Sequence, residues 1–225
     1  MILSIKAIED AELLGAIAEK QDKLQWTDGR ETAGTVAGKV KRNEQAVMSE
    51  PAAEALAAEI TKIILSNPVV KAASQPRRFS KLLISKTSGG GHYGSHVDNA
   101  LMGAGEGRMR SDLSFTLFLT EPDAYEGGEL VIHHAGAAQR VKGALGELVL
   151  YPSTSVHEVT PVTSGTRIVC VGWIESLIAD GAARETLFDL ENLRVSLRAS
   201  LPAGSAELLT LDKVIANLLR RWAKV

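Results

Sequence analysis

Apolar positions recur at two periods along the chain, and the change from one to the other divides it into three zones. Up to about residue 75 the spacing is helical. Leu13, Leu14, Ile17 and Ala18 share a face between Ile8 and Lys20, and Leu56, Ile60, Ile63 and Ile64 share one between Glu50 and Ser66. Ser49 is the expected cap of the second helix, Pro51 fits its first turn, and Asn67-Pro68 ends it. From residue 78 to 176, short runs rich in Val, Leu, Ile and Phe alternate with Gly, Pro, Asp and Ser. The expected strands are Phe79–Ser85, Ser95–Asp98, Ser111–Thr120, Glu129–His133, Gln139–Val141, Glu147–Tyr151, Ser155–Pro161 and Thr166–Glu175. No segment between them is long enough for a crossover helix, so they predict an antiparallel sandwich or barrel. From Ala183 the helical period returns in RETLFDLENLRVSLRAS and AELLTLDKVIANLLRRWAKV, parted by Leu201-Pro202-Ala203-Gly204. The expected organisation is mainly β with flanking helices. One unit spans 1–176, helical at first and β from about 78, and a helical extension covers 177–225.

Composition narrows the classes. An apolar fraction of 45% with 23% charged residues is that of a globular chain with a core to bury. A net charge of −2 without a basic stripe argues against a nucleic-acid partner. No apolar run is long enough to span a membrane, and MILSIKAIEDAELLGAIAEK interrupts its apolar stretch with acids, unlike a signal peptide. Cys170 is the only cysteine, which excludes an internal disulfide and a thiolate cluster and makes a reducing cytoplasm the expected location. The apolar stripes of the terminal helices make a homodimer an expectation.

Few residues carry candidate chemistry. His96 and Asp98 flank Val97, and on an extended segment such a pair points to one face. An imidazole and a carboxylate can then meet one metal ion, and His157 can supply a third ligand. Two His and a carboxylate form the facial set of non-haem iron(II) oxygenases. Alone, the His-x-Asp pair is a weak signal and reads more readily as a surface hydrogen-bonded pair. Arg167 adds to it. Thr163-Ser164-Gly165 has the form of a three-residue hairpin loop closed by Val162 and Thr166. In that register Arg167 opposes Pro161, Val171 opposes His157, and His157 and Arg167 face one cavity about 13 Å apart. A five-carbon dicarboxylate chelating the metal at one end and pairing with the guanidinium at the other would span that gap.

The stretches GGGHYGSHVDNAL, RSDLSFTLFLTEPDAYEGGELVI, GELVLYPSTSVHEVTPVTSGTRIVCVGWIES and RETLFDLENL resemble the PKHD-type hydroxylases, bacterial relatives of the prolyl 4-hydroxylases among the iron(II)/2-oxoglutarate dioxygenases. The resemblance covers most of residues 79 to 192. It implies a double-stranded β-helix (jelly-roll) core, with His96, Asp98 and His157 as iron ligands and Arg167 as the 2-oxoglutarate anchor. It further implies O2 as oxidant, L-ascorbate as an assisting reductant, and hydroxylation of an unidentified substrate, a protein side chain or a small molecule, coupled to conversion of 2-oxoglutarate to succinate. One departure stands out. Where the family usually carries an aromatic residue on the strand before the first ligand, this chain has Lys86-Thr87, and Lys86 is the candidate replacement.

Other residues weigh differently. His92 reads as a loop residue, Tyr93 as pocket lining, and His133-His134 as a solvated turn, since neighbours on a strand point to opposite faces. Arg108 and Arg110 follow Asp98 in a Gly-rich segment that reads as a solvated loop or as a lid over the site, with Arg110 the better candidate for the substrate pocket. Gly127-Gly128 reads as a tight turn, and Cys170 and Trp173 as core. Two further functions compete with the oxygenase: a silent sensor of iron or 2-oxoglutarate, and a cupin-like metal protein with other chemistry. The complete set of four site residues speaks against the first, and Arg167 against the second.

Overall fold

A computed structural model describes residues 1–32, 37–134 and 136–224. Two antiparallel sheets form the centre. The major sheet runs Leu3–Lys6, Glu147–Pro152, Leu113–Phe118, Val162–Ser176, Leu83–Ser88, Glu44–Ala46, Trp26–Asp28. Pro76–Phe79 and Tyr125–Gly127 also pair with Val162–Ser176. The minor sheet runs Ala137–Val141, Leu130–His134, Val156–Val159, His92–His96, Lys41–Arg42.

Alternation on the long strand separates two layers. Ile168, Cys170 and Ile174 pack outward with Leu56, Ile60 and Ile64 of the Pro51–Ser66 helix. Val169 points the other way and joins Phe118, Val149 and Tyr151 of the major sheet to Leu130 and Ile132 of the minor one. Helices thus cover one face of the major sheet, while the space between the sheets holds a smaller core and, beside it, a cavity lined from both sheets.

The helices follow their caps. Asp10 opens Ala11–Gln21 by accepting from the amides of Glu12 and Leu13 at 2.9 and 3.3 Å. For the next helix, the expected cap, Ser49, is displaced: Glu50 stands at the N-cap and makes no side-chain cap bond. Asn67-Pro68 does end that helix, but it also starts another, Pro68–Ser74, whose first amides are taken by Asn67 Oδ1. Proline stops a helix behind it and begins one in front. At the C-terminus Gly181–Arg198 and Ala206–Trp222 pack together through Leu187, Leu211 and Ile215 over Ile178. No helix among the described residues is long and apolar enough to cross a membrane.

Four short strands in the first zone were not foreseen: Leu3–Lys6, Trp26–Asp28, Lys41–Arg42 and Glu44–Ala46. They are too short to show a period. The last two lie in different sheets, so the chain crosses between sheets at Asn43 and sets Lys41 at the cavity's edge.

Ile60 is fully buried against the back of the major sheet. Ile60→Ala is expected to lower unfolding free energy by about 2–5 kcal/mol. A urea denaturation midpoint unchanged from the parent chain would show that this helix contributes little to holding the sheet.

Candidate metal centre

His96, Asp98 and His157 each bring one ligand atom to a common point, all within 4.8 Å of one another. The elements that do this are unequal. His96 ends the His92–His96 strand, Asp98 lies just past that end rather than on it, and His157 sits opposite His96 on Val156–Val159. Each imidazole is held by its own turn of chain. Nδ1 of His96 lies 2.8 Å from the carbonyl of Gly94, and Nδ1 of His157 lies 3.1 Å from that of Ser155. A carbonyl can only accept, so each Nδ1 carries the proton and each Nε2 keeps a lone pair. Ser114 Oγ donates to Asp98 Oδ2 at 2.6 Å and is itself linked to Ser153 Oγ at 2.7 Å. The same carboxylate oxygen lies 3.7 Å from His157 Nε2. Burial, and then His157 beside it, push His96 down to about 4, so this ring is neutral near pH 7.

Two aromatic rings fix the imidazoles. Tyr93 stacks on His96 with centroids 3.6 Å apart and planes 18° apart. Tyr151 meets His157 edge-on at 5.1 Å. Tyr93 and His96 are three apart in sequence, and regular alternation would send them to opposite faces. A register shift puts three steps on their strand against two on the other, Tyr93 opposite Val159 and His96 opposite His157. This bulge brings the ring of Tyr93 into the cavity.

Arg167 lines the same cavity from the major sheet and is 2% exposed. Its guanidinium lies 5.4 Å from the ring centre of Phe118. Burial works against its charge, and the hydroxyls of Tyr125 and Tyr151 offset this in part. Its Nε is buried without a hydrogen-bond partner among the described residues. The expected hairpin register is wrong. Thr163-Ser164-Gly165 lies inside the Val162–Ser176 strand and pairs with Tyr125–Gly127, so Arg167 opposes Thr87 and not Pro161. Val171 opposes Leu83 and Thr116, while His157 opposes His96 and Ile132. Gly165 does take the left-handed φ, 72°, but as a close approach to Ala124 and Tyr125 rather than as a loop. His157 and Arg167 share a cavity because two sheets face each other, not because one hairpin folds back.

Comparison with known proteins agrees with this geometry. A model of the 2OG-Fe(II) oxygenase superfamily matches residues 82–175, and one of the PKHD-type hydroxylase C-terminal domain matches 181–224. A PKHD-type hydroxylase of Hyphomonas neptunium is 45% identical over 224 residues, and one of Synechococcus elongatus is also 45% identical, each match covering 100% of both chains. The chain belongs to the PKHD-type hydroxylases. Its fold is similar to that of a Pseudomonas putida prolyl-4-hydroxylase, with TM-score 0.52 and 20% identity, over 78% of this chain and 92% of that one.

Within this PKHD-type chain the remaining candidates fall apart. Tyr93 lines the cavity, as expected. Lys86 does not: it opposes Ile168, reaches Glu44 at 2.9 Å and lies over Trp26, so Thr87 is the residue on the Arg167 face. Arg110 is committed elsewhere, with two hydrogen bonds to Asp112 at 2.7 and 2.8 Å and one to the Ser176 carbonyl at 3.0 Å. It lines a second cavity, which shares Val97 and Asp98 with the first but neither histidine of the triad. The expected lid is a hairpin, Leu101–Met102 against Met109–Arg110, with Met102 on the cavity wall. His92 begins a strand rather than sitting in a loop. Trp173, expected in the core, lines the cavity with an indole N–H lacking a partner among the described residues.

Tyr151 and Gly128 are among the residues the sequence reading missed. Tyr151 is buried on the cavity wall, in a run whose apolar alternation hides its hydroxyl, and burial raises its pKa well above the phenol range. Gly128 stands at φ 65°, and a Cβ there would come within 2.9 Å of Tyr125 and Val162 and 3.0 Å of Arg167 Cδ. Gly128→Ala is therefore expected to cost about 1–3 kcal/mol from backbone strain alone, with more from displacing the arginine. A thermal melt of this variant coinciding with that of the parent chain would show that the contact is slack.

Proposed function

We propose that the chain is an Fe(II)- and 2-oxoglutarate-dependent dioxygenase that hydroxylates a substrate, with His96, Asp98 and His157 holding the iron and Arg167 anchoring the co-substrate. The observation that carries this is the joint presence, in one cavity, of a convergent two-His, one-carboxylate set and a buried guanidinium whose Nε has no partner among the described residues. The donor set fits iron(II): three ligands on one side leave coordination positions open. The guanidinium fits the far carboxylate of 2-oxoglutarate, since a planar fork in a shielded site pairs with a carboxylate in bidentate fashion. When bound, iron and 2-oxoglutarate supply the oxidising power, with O2 consumed and succinate and carbon dioxide formed beside the hydroxylated product.

The chain's own residues do the positioning. Gly94 and Ser155 carbonyls keep both Nε2 lone pairs turned inward, and Ser114 holds Asp98. Thr87, opposite Arg167, replaces the family's aromatic residue, and Tyr151 offers a phenol from the neighbouring wall in its place. Phe118, Val169 and Val171 make the wall apolar, which strengthens the charge contact at Arg167. Ascorbate is proposed as the reductant that sustains turnover.

His157→Ala is expected to lose most of its iron after dialysis while keeping its fold. Arg167→Ala should keep iron but need about tenfold or more 2-oxoglutarate, as truncating a buried charge partner costs roughly 2–5 kcal/mol. Metal analysis and succinate formation from 2-oxoglutarate read both. Stoichiometric iron in the first variant, or unchanged 2-oxoglutarate dependence in the second, overturns the assignment.

A further inference from the structure

A second cation lines the cavity. Lys41 enters it from the edge of the minor sheet, where it pairs with Tyr93 and so shares its face. Its Nζ lies 5.2 Å from the centre of the Tyr93 ring, which in turn stacks on His96. Lys41 is thus one aromatic ring away from a proposed iron ligand. It is also 7% exposed, and burial pulls its ammonium down to about 8, with Asp28 opposing.

Lys41 does not belong to the cavity alone. It also lines a surface groove with Arg30, Lys39, Arg42, His92 and Asp28. With Lys41, four of the groove's described lining residues are lysine or arginine, and Asp28 is the only carboxylate among them. Asp28 is already taken by Arg30, whose Nε reaches its two oxygens at 3.0 and 2.9 Å. A chain of net charge −2 therefore keeps a cationic track that runs from the surface to the mouth of its cavity. Such a track raises the local concentration of anions. Arg167 lies in the other sheet, opposite Thr87, and is not part of this groove.

We propose that the primary substrate is an anion, whose carboxylate or phosphate group enters along the Arg30–Lys39–Arg42 groove and docks beside Lys41, next to the Tyr93–His96 stack. This rests on the function proposed above and assigns to the site two anion positions, Arg167 for the co-substrate and Lys41 for the substrate.

The test uses the protein loaded with Fe(II) and saturating 2-oxoglutarate without oxygen, where the metal-bound co-substrate gives a visible absorption band. Inorganic phosphate and acetate are titrated in separately, with chloride at matched ionic strength as control. The band is expected to move with one or both anions and not with chloride, because the occupant presses on the ring that stacks on His96. Phosphate alone would point to a phosphorylated substrate, and acetate alone to a carboxylate. Lys41→Ala is expected to raise the half-saturating concentration by about fivefold or more, the size of one partly buried charge contact. Lys41→Arg, which keeps the charge, should stay within about twofold of the parent chain. A band that neither anion moves, or one that moves equally in Lys41→Ala, overturns the inference while leaving the iron and 2-oxoglutarate assignment intact. Failure of the parent chain to form the band at all overturns that assignment, and the inference with it.

Discussion

A guanidinium that is 2% exposed and faces an apolar wall is costly to keep charged, and the structure around Arg167 is arranged to meet that cost. Its position in the middle of the Val162–Ser176 strand prevents it from turning out to solvent. Phe118 offers a ring face to the cation, and the Tyr125 and Tyr151 hydroxyls supply dipoles. Gly128 leaves room where any Cβ would press on its methylene. None of these gives a full counter-charge. A site that holds a cation ready and leaves the anion to be supplied is what a dicarboxylate co-substrate requires.

The same restraint shows at the metal centre. The three candidate ligands come from two strands and the loop after one of them, and each is pinned by a neighbour a few residues away or by a serine across the cavity. Rigidity of this sort costs little here, because the hydrogen bonds are made by groups that need partners in any case. The Tyr93 bulge serves a further purpose. It stacks a large ring on His96, and Lys41 lies over that same ring.

Much of this was legible in the chain, and what escaped shares a physical cause. The β zone, its strands and the amphipathic helices could be read because period is a local property. His96, Asp98, His157 and Arg167 could be singled out by residue type and flanking pattern. The hairpin between His157 and Arg167 could not be judged, because a Gly ready for φ > 0 fits a tight loop and a close approach equally well, and only the Tyr125–Gly127 strand decides between them. Lys86 and Thr87 are adjacent, and register alone tells which faces Arg167. Arg110 looked free because its partners, Asp112 and the carbonyl of Ser176, are a local acid and a backbone group 66 positions away. Lys41 drew no notice, since a two-residue strand carries no pattern.

Among the described strands, the one that carries Arg167 is the last in chain order, and it belongs in the middle of the major sheet. Leu83–Ser88 and Leu113–Phe118, its two longest neighbours, emerge earlier and do not pair with each other. Until residue 176 is out, each presents a bare edge with buried-to-be residues such as Ile84 and Leu117 on show. A partly synthesised chain is therefore not a smaller version of the fold but two separate ribbons awaiting a wedge, and such open edges are the ones that stray into other chains. The three candidate ligands all leave the tunnel before Arg167 does, so a nascent chain that picked up a metal ion early would hold it in a pocket still missing its far wall.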